Sequence, residues 1–145
     1  MHTHVVRCGV TGLALALLLG AGLSASAQSG AFKADLSGQS EVPPTQTSGN
    51  GKAEVTYDPS SKKLSWTVTF SGLSGPATMA HFHGPAEPGK NAGVAVPIGN
   101  NISSPATGSA TLTDAQAADL MGGRWYVNVH TAANPAGEIR GQVVK

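Results

Sequence analysis

Three histidines are the residues of this chain best suited to chemistry. His81 and His83 flank Phe82, and His130 lies in the segment 124–131. Side chains two positions apart on a β-strand point to the same face, so His81 and His83 can present two imidazoles to one ion. Imidazole nitrogen is a good ligand for copper and zinc. With His130 from a neighbouring strand as the third ligand, the pattern predicts a three-histidine copper or zinc site.

This prediction depends on how two distant segments pair. If their strands are antiparallel neighbours, residue 130 must lie opposite the 81–83 stretch, with α-carbons about 5.5 Å apart. Two alternatives remain open: a solvated His-x-His pair on the surface, and a His130 that caps the loop 131–135 by a backbone hydrogen bond. Glu87 is the best additional ligand, with an ordinary loop carboxylate as its alternative.

Other chemistries have little support in the sequence. It contains no Gly-x-Ser-x-Gly motif, no phosphate-binding glycine loop followed by Lys-Ser/Thr, and no His-Glu-x-x-His motif. No segment presents a candidate nucleophile, so no catalytic residue is predicted and a role other than that of an enzyme is favoured. Glu138 and Arg140 share a face of the last predicted strand, where they are expected to form a surface charge pair.

The elements that must position these histidines are short strands. Several segments alternate in the two-residue rhythm of half-buried strands and are separated by clusters of Gly, Pro, Ser and Asn. They predict strands at 31–36, 52–57, 63–70, 78–83, 94–98, 108–112, 124–131 and 137–144. Residues 113–122 read as a short helix, with Thr113 or Asp114 as N-cap and Gly122 as the left-handed C-terminal residue. This order predicts an all-β fold, a Greek-key β-sandwich or flattened barrel of about eight strands with one short helix.

The alternation also predicts which way the histidines face. In both histidine segments the apolar residues occupy one face and the polar residues the other. All three histidines should therefore point away from the core, into a polar or solvent-lined layer. The polar face of the second segment also carries Tyr126 and Asn128.

The N-terminus has the three parts of a secretory signal peptide. Arg7 precedes an apolar run over 10–23, and the small residues 25–27 precede Gln28. We predict a signal peptide at 1–27, a single domain at 28–145 and a secreted protein, extracellular or periplasmic. The apolar run is shorter than the ~20 residues of a membrane span, so no stable span is expected after processing, with an uncleaved anchor as the alternative. Cys8 would leave with the signal, which excludes a disulfide.

Composition excludes one class of partner. The 145 residues include nine Lys and Arg against eight Asp and Glu, a formal net charge of +1, and no basic run. Binding to nucleic acid driven by electrostatics is therefore not expected.

Four ordered segments carry a resemblance to a known family. They are residues 36–44 (Leu-Ser-Gly-Gln-Ser-Glu-Val-Pro-Pro), 80–86 (Ala-His-Phe-His-Gly-Pro-Ala), 126–131 (Tyr-Val-Asn-Val-His-Thr) and 134–142 (Asn-Pro-Ala-Gly-Glu-Ile-Arg-Gly-Gln). Over about residues 32–144 the chain resembles the chordin-type, or CHRD, domain. The resemblance implies an extracellular binding or structural module, with an extracellular protein as one expected partner.

The chain is also similar, more weakly, to copper/zinc superoxide dismutase. That family places a His-x-His pair on a strand of a Greek-key sandwich, so His81, His83 and His130 would correspond to three of its copper ligands. The chain departs from it in lacking the disulfide cysteines, the further zinc ligands and an arginine at the matching place. Three functions remain open: a CHRD module with a copper or zinc site, a dismutase-like redox metalloenzyme, and an extracellular protein-binding module.

Overall fold

The fold is a set of eight β-strands and one α-helix, seen in a computed structural model that describes residues 29–145. The predicted signal peptide at 1–27 lies outside these residues. The strands are β1 Gly30–Ser37, β2 Asn50–Asp58, β3 Lys63–Ser71, β4 Ala77–His83, β5 Val94–Asn100, β6 Ala106–Thr111, β7 Tyr126–Thr131 and β8 Ile139–Gln142. The helix α1 is Asp114–Met121, and one 3-10 turn, Gly38–Ser40, follows β1.

All eight strands belong to one antiparallel sheet in the order β5-β4-β7-β8-β1-β2-β3-β6. The two outer strands, β5 and β6, contact each other, so the sheet closes almost completely into a barrel. The non-sequential neighbours β4–β7 and β3–β6 bring distant segments together. The prediction of an all-β fold with about eight strands and one short helix is confirmed. Within residues 29–145, no helix has both the length and the apolar character needed to cross a membrane.

The core follows from the two-residue period of the strands. On β3, Leu64, Trp66 and Val68 are buried inside the barrel, while the residues between them face outwards. Phe82 of β4 is fully buried, and its ring meets Trp66 edge-on with centroids 5.3 Å apart. Trp125 contacts Phe82 from the other direction, at 5.8 Å. Three large aromatic rings therefore fill the centre of the core.

Helix α1 is defined by its caps. The Thr113 side chain accepts from the Gln116 backbone N–H, and the Gln116 side chain accepts from the Thr113 N–H, which completes a capping box. Leu120 is fully buried and attaches the helix to the core. Thr113 is thus the N-cap, as expected, but the left-handed residue is Gly123 with φ 70°, whereas Gly122 has φ −79°. The left-handed glycine was therefore predicted one residue too early in the chain.

The register of β4, β7 and β8 positions the polar face. His81 pairs with Asn128, and His83 pairs with Tyr126. On the far side of β7, Asn128 pairs with Arg140 of β8. Directly paired residues in a sheet point to the same side, so these side chains all share the outer face of the barrel.

We expect Phe82→Ala to destabilise the fold by about 3–5 kcal/mol, because it opens a cavity between two tryptophans. The measurement is urea unfolding followed by circular dichroism. Val144→Ala is the control, since Val144 is 44% exposed and its truncation should change the free energy of unfolding by less than about 0.5 kcal/mol. Equal unfolding midpoints for the two variants would contradict this assignment of the core.

Candidate metal centre

The outer face of β4, β7 and β8 is a polar layer that the protein itself covers. Tyr126, Asn128, His130 and Arg140 are all 6% exposed or less. Residues 84–93 and 132–137 lie over them and contribute backbone carbonyls to their hydrogen bonds. The histidines point away from the hydrophobic core, as predicted, but into a buried layer. The alternative of a solvated histidine pair is therefore wrong for His83, which is 9% exposed.

The three predicted histidines converge. One ligand atom from each of His81, His83 and His130 lies within 4.8 Å of the other two. His81 Nδ1 is 3.2 Å from His130 Nε2. His130 is paired with Met79, so it reaches His81 diagonally across β4 and β7 instead of from the directly opposite position. The predicted meeting of two distant strands is confirmed.

Hydrogen bonds fix which nitrogen of each buried ring is free. His83 Nδ1 lies 3.0 Å from the Ala92 carbonyl oxygen, and His130 Nδ1 lies 2.9 Å from that of Pro135. A carbonyl oxygen only accepts, so Nδ1 carries the proton in both rings and Nε2 of the neutral ring keeps its lone pair. Metal-binding histidines in proteins show this arrangement, in which the second nitrogen donates to the protein. The expected loop-capping bond of His130 is present and serves the same end.

The free nitrogens meet an amide oxygen. Asn128 Oδ1 lies 3.0 Å from His83 Nε2 and 2.9 Å from His130 Nε2. With neutral rings, Asn128 Oδ1 and the two Nε2 atoms are all acceptors. His81 Nδ1 can donate to His130 Nε2, 3.2 Å away, but this leaves His83 Nε2 facing the amide oxygen without a proton between them. Either an added proton or a metal cation can relieve this repulsion.

Burial disfavours the protonated forms of His81 and His83. It lowers the pKa of His81, and repulsion from a charged His130 or His83 lowers it further. Burial also lowers the pKa of His83 and outweighs the hydrogen bonds to Ala92 and Asn128. The unprotonated forms of His81 and His83 are therefore favoured at neutral pH, and the unprotonated ring is the form that binds metal.

The distances suit a common ion after a small adjustment. Metal–nitrogen bonds of about 2.0–2.1 Å place neighbouring ligand atoms about 3.0–3.4 Å apart, depending on the geometry, and allow at most about 4.2 Å between any two. The 3.2 Å between His81 Nδ1 and His130 Nε2 meets this limit. A separation of 4.8 Å must shorten by at least about 0.6 Å, and by about 1.4 Å if the two atoms are tetrahedral neighbours. His81 is only partly buried, and the β4–β5 pairing is irregular between Ala80 and His81, so the adjustment is local.

Arg140 has a role that its sequence position did not reveal. Its guanidinium carbon lies 3.4 Å from the centre of the Tyr126 ring, and the His83 ring stacks on Tyr126 at 4.8 Å with 2° between the planes. His83 and Arg140 reach Tyr126 from the strands on either side of β7. Arg140 also donates to Asn91 Oδ1 at 2.8 Å and to the Lys90 carbonyl at 2.5 Å. Tyr126, held by Arg140 on one face, therefore supports the His83 ring on its other face.

Glu138 holds the loops at the end of this layer. It is fully buried, and its carboxylate accepts from the Thr47 hydroxyl at 2.6 Å, the Ser74 N–H at 2.8 Å and the Ser74 hydroxyl at 2.6 Å. Thr131 at 2.6 Å and Asn134 at 3.1 Å complete the set. Burial alone would raise the pKa of Glu138, but the bonds from Ser74, Thr131 and Thr47 prevail and lower it to about 2.

The surface charge pair expected of Glu138 and Arg140 is wrong. Both residues are buried, and each has its own set of partners. Glu87, the candidate extra ligand, is exposed and is not part of the histidine cluster. Asn128 is the residue of the site that the metal prediction missed. Its place on the polar face between the histidines was the available signal.

By its fold and site, the protein is a nearly closed antiparallel β-barrel with a histidine cluster in a buried polar layer on its outer side. The family model for the CHRD domain matches residues 32–143, which is more than half of the sequence, so the chain belongs to the CHRD family. This confirms the resemblance read from the sequence motifs. Comparison with curated proteins and with solved structures gives no match.

We expect Glu138→Gln to lower the free energy of unfolding at pH 7 by an amount on the order of 3 kcal/mol. The folded-state pKa of about 2 lies below the ordinary 4.5, so the carboxylate stabilises the fold above pH 4.5 and loses this effect between pH 4.5 and 2. Urea unfolding from pH 7 to pH 2 should show a steep loss in the wild type and a shallower one in the variant. Glu87→Gln, at an exposed site, is the control. Identical pH profiles for Glu138→Gln and wild type would rule out this role.

Proposed function

We propose that this chain is a secreted CHRD-domain binding or structural module that holds one copper or zinc ion on His81, His83 and His130. One observation carries the metal site: the Nδ1–H groups of His83 and His130 are engaged by the Ala92 and Pro135 carbonyls, so both Nε2 lone pairs are left to face the cluster. Secretion is supported by the signal-peptide pattern at 1–27.

The donor set supports the choice of metal. Three imidazole nitrogens suit zinc and copper, whereas calcium and magnesium prefer oxygen ligands. His81 is the partly exposed member of the cluster, so an ion would be reached from its side. A site of this kind can stabilise the fold, bridge to a partner's side chain, or present a bound ion to a small ligand.

Protein binding without a metal is the second candidate, and the CHRD family favours it. The large apolar side chains exposed on the described residues are Val94, Met121 and Val144, at three separate places in the chain. We do not propose the dismutase alternative, since it needs an arginine that meets an anion at the ion's open side. Arg140 is only 2% exposed, lies against Tyr126 and donates to the 90–91 loop.

We expect the metal-free wild type to bind one equivalent of Zn²⁺ or Cu²⁺, measured by calorimetric titration and by metal content after desalting. The double variant His81→Ala/His130→Ala removes two of the three ligands and should retain less than about a tenth of an equivalent. The control is Glu87→Ala, which removes an exposed carboxylate outside the histidine cluster and should leave the bound metal at one equivalent. A wild type that retains no metal, or a double variant that retains as much as the wild type, would remove the proposal.

We expect the Zn²⁺ affinity to be nearly constant from pH 8 to about pH 6.5 and to fall at lower pH. Protons compete with the ion for the ring nitrogens, but the lowered pKa values of His81 and His83 move this competition to more acidic pH than for a free histidine. Competition with a chromophoric chelator across this range gives the affinity. An affinity that rises on acidification would speak against ligation by neutral imidazoles.

A further inference from the structure

Asn128 lies at the centre of the histidine cluster. It is 3% exposed, and its Oδ1 is 3.0 Å from His83 Nε2 and 2.9 Å from His130 Nε2. Ligand atoms at neighbouring positions of one ion with bonds of about 2.1 Å are separated by about 3.0 Å at right angles and about 3.4 Å in a tetrahedron. The amide oxygen is therefore placed where a further ligand of the same ion would be.

An asparagine can ligate a cation only through its oxygen, so the orientation of the amide matters. The Nδ2 side of Asn128 faces acceptors. The Ala136 carbonyl oxygen is 3.5 Å from Nδ2. At Gly137, where φ is 130°, a β-carbon would overlap both Asn128 Nδ2 and Glu41 Oε1, so these two atoms lie beside the same α-carbon. The Ala136 carbonyl is the acceptor within hydrogen-bond reach of this NH₂ group, and Glu41 Oε1 lies close by without forming a hydrogen bond to it. Both favour the orientation that turns the amide oxygen towards the histidines.

Glu41 is a buried carboxyl without an adequate partner. It is 6% exposed, and its Oε1 makes no hydrogen bond within the described residues. An unpaired buried carboxyl is costly. In either protonation state it keeps an oxygen that accepts from an amide.

We infer that Asn128 Oδ1 is a fourth ligand of the proposed metal ion and that Glu41 is the positioning residue that holds this oxygen towards it. The inference rests on the proposed three-histidine site and makes it a site of three nitrogens and one oxygen. It also gives a role to Glu41, which lies in the segment 36–44, outside the histidine motifs.

The first test uses the unmodified chain. Zn²⁺ is added to protein labelled with ¹³C and ¹⁵N, and the side-chain amide signals of asparagine are followed by NMR. Ligation should give Asn128 the largest ¹³Cγ shift among the asparagine side chains, with the exposed Asn50 and Asn100 as internal controls. An Asn128 signal that stays fixed while one equivalent of Zn²⁺ binds would overturn the inference.

The second test uses variants with two readouts, the Zn²⁺ dissociation constant and the Cu²⁺ EPR spectrum. Asn128→Ala and Glu41→Leu should each weaken Zn²⁺ binding by about 10- to 100-fold and change the parallel hyperfine splitting of Cu²⁺. Glu41→Gln keeps an acceptor oxygen, so its Zn²⁺ dissociation constant should stay within about threefold of the wild type and its Cu²⁺ EPR spectrum should match that of the wild type. Glu87→Leu is the matched control at an exposed acid.

The outcomes separate the two claims. If wild type binds metal and both Asn128→Ala and Glu41→Leu keep its affinity within about twofold and its EPR spectrum, the three-histidine proposal stands and the inference fails. If wild type binds neither Zn²⁺ nor Cu²⁺, the proposed function fails and the inference falls with it. Should Asn128→Ala not fold by circular dichroism, the NMR titration of the wild type decides.

Discussion

A polar side chain that is removed from water must find its hydrogen bonds inside the protein, and this constraint governs the outer face of β4, β7 and β8. The loops over this face are held down because they supply those bonds. The Ala92 and Pro135 carbonyls accept from histidine, the Lys90 carbonyl accepts from Arg140, and Glu138 gathers donors from residues 47, 74, 131 and 134. The same contacts set the tautomers of the buried rings. The hydrogen bonds that hold the loops in place therefore also determine which nitrogen of His83 and His130 carries the proton.

The barrel thus has two layers with different physics. Inside, apolar residues such as Leu64, Phe82 and Val127 pack without polar partners, and their burial supplies the non-directional part of the stability. Outside, directional bonds place His83 between the Ala92 carbonyl and Asn128, with its ring on Tyr126. The first layer fixes which strands are neighbours, and the second fixes where individual nitrogen atoms point.

Local patterns in the sequence were enough to predict the strands, the helix and the shared face of the three histidines. They rest on the two-residue period of a strand and on capping preferences, which act over a few residues. Burial of the polar face could not be predicted this way. Alternating polar residues such as Asn128 and Arg140 are typical of a solvated surface, and only the loops that fold over them, from distant parts of the chain, remove that solvent. For the same reason the sequence did not reveal that Asn128 lies within the histidine cluster, and it predicted Glu138 and Arg140 to be surface charges.

The place where the barrel closes, between the outer strands β5 and β6, is one strand away from the histidines of β4. β5 is an outer strand of the sheet, and β4, which carries His81 and His83, is the next strand in. Pro97, opposite His81, has no N–H to donate, and the pairing of β4 with β5 shifts register between Ala80 and His81 and again between Phe82 and His83. Irregular pairing therefore lies at an outer strand, and the six strands beyond β4 form the rest of the wall. The least regular strand pairing of the barrel thus lies beside His81, the most accessible ring of the histidine cluster.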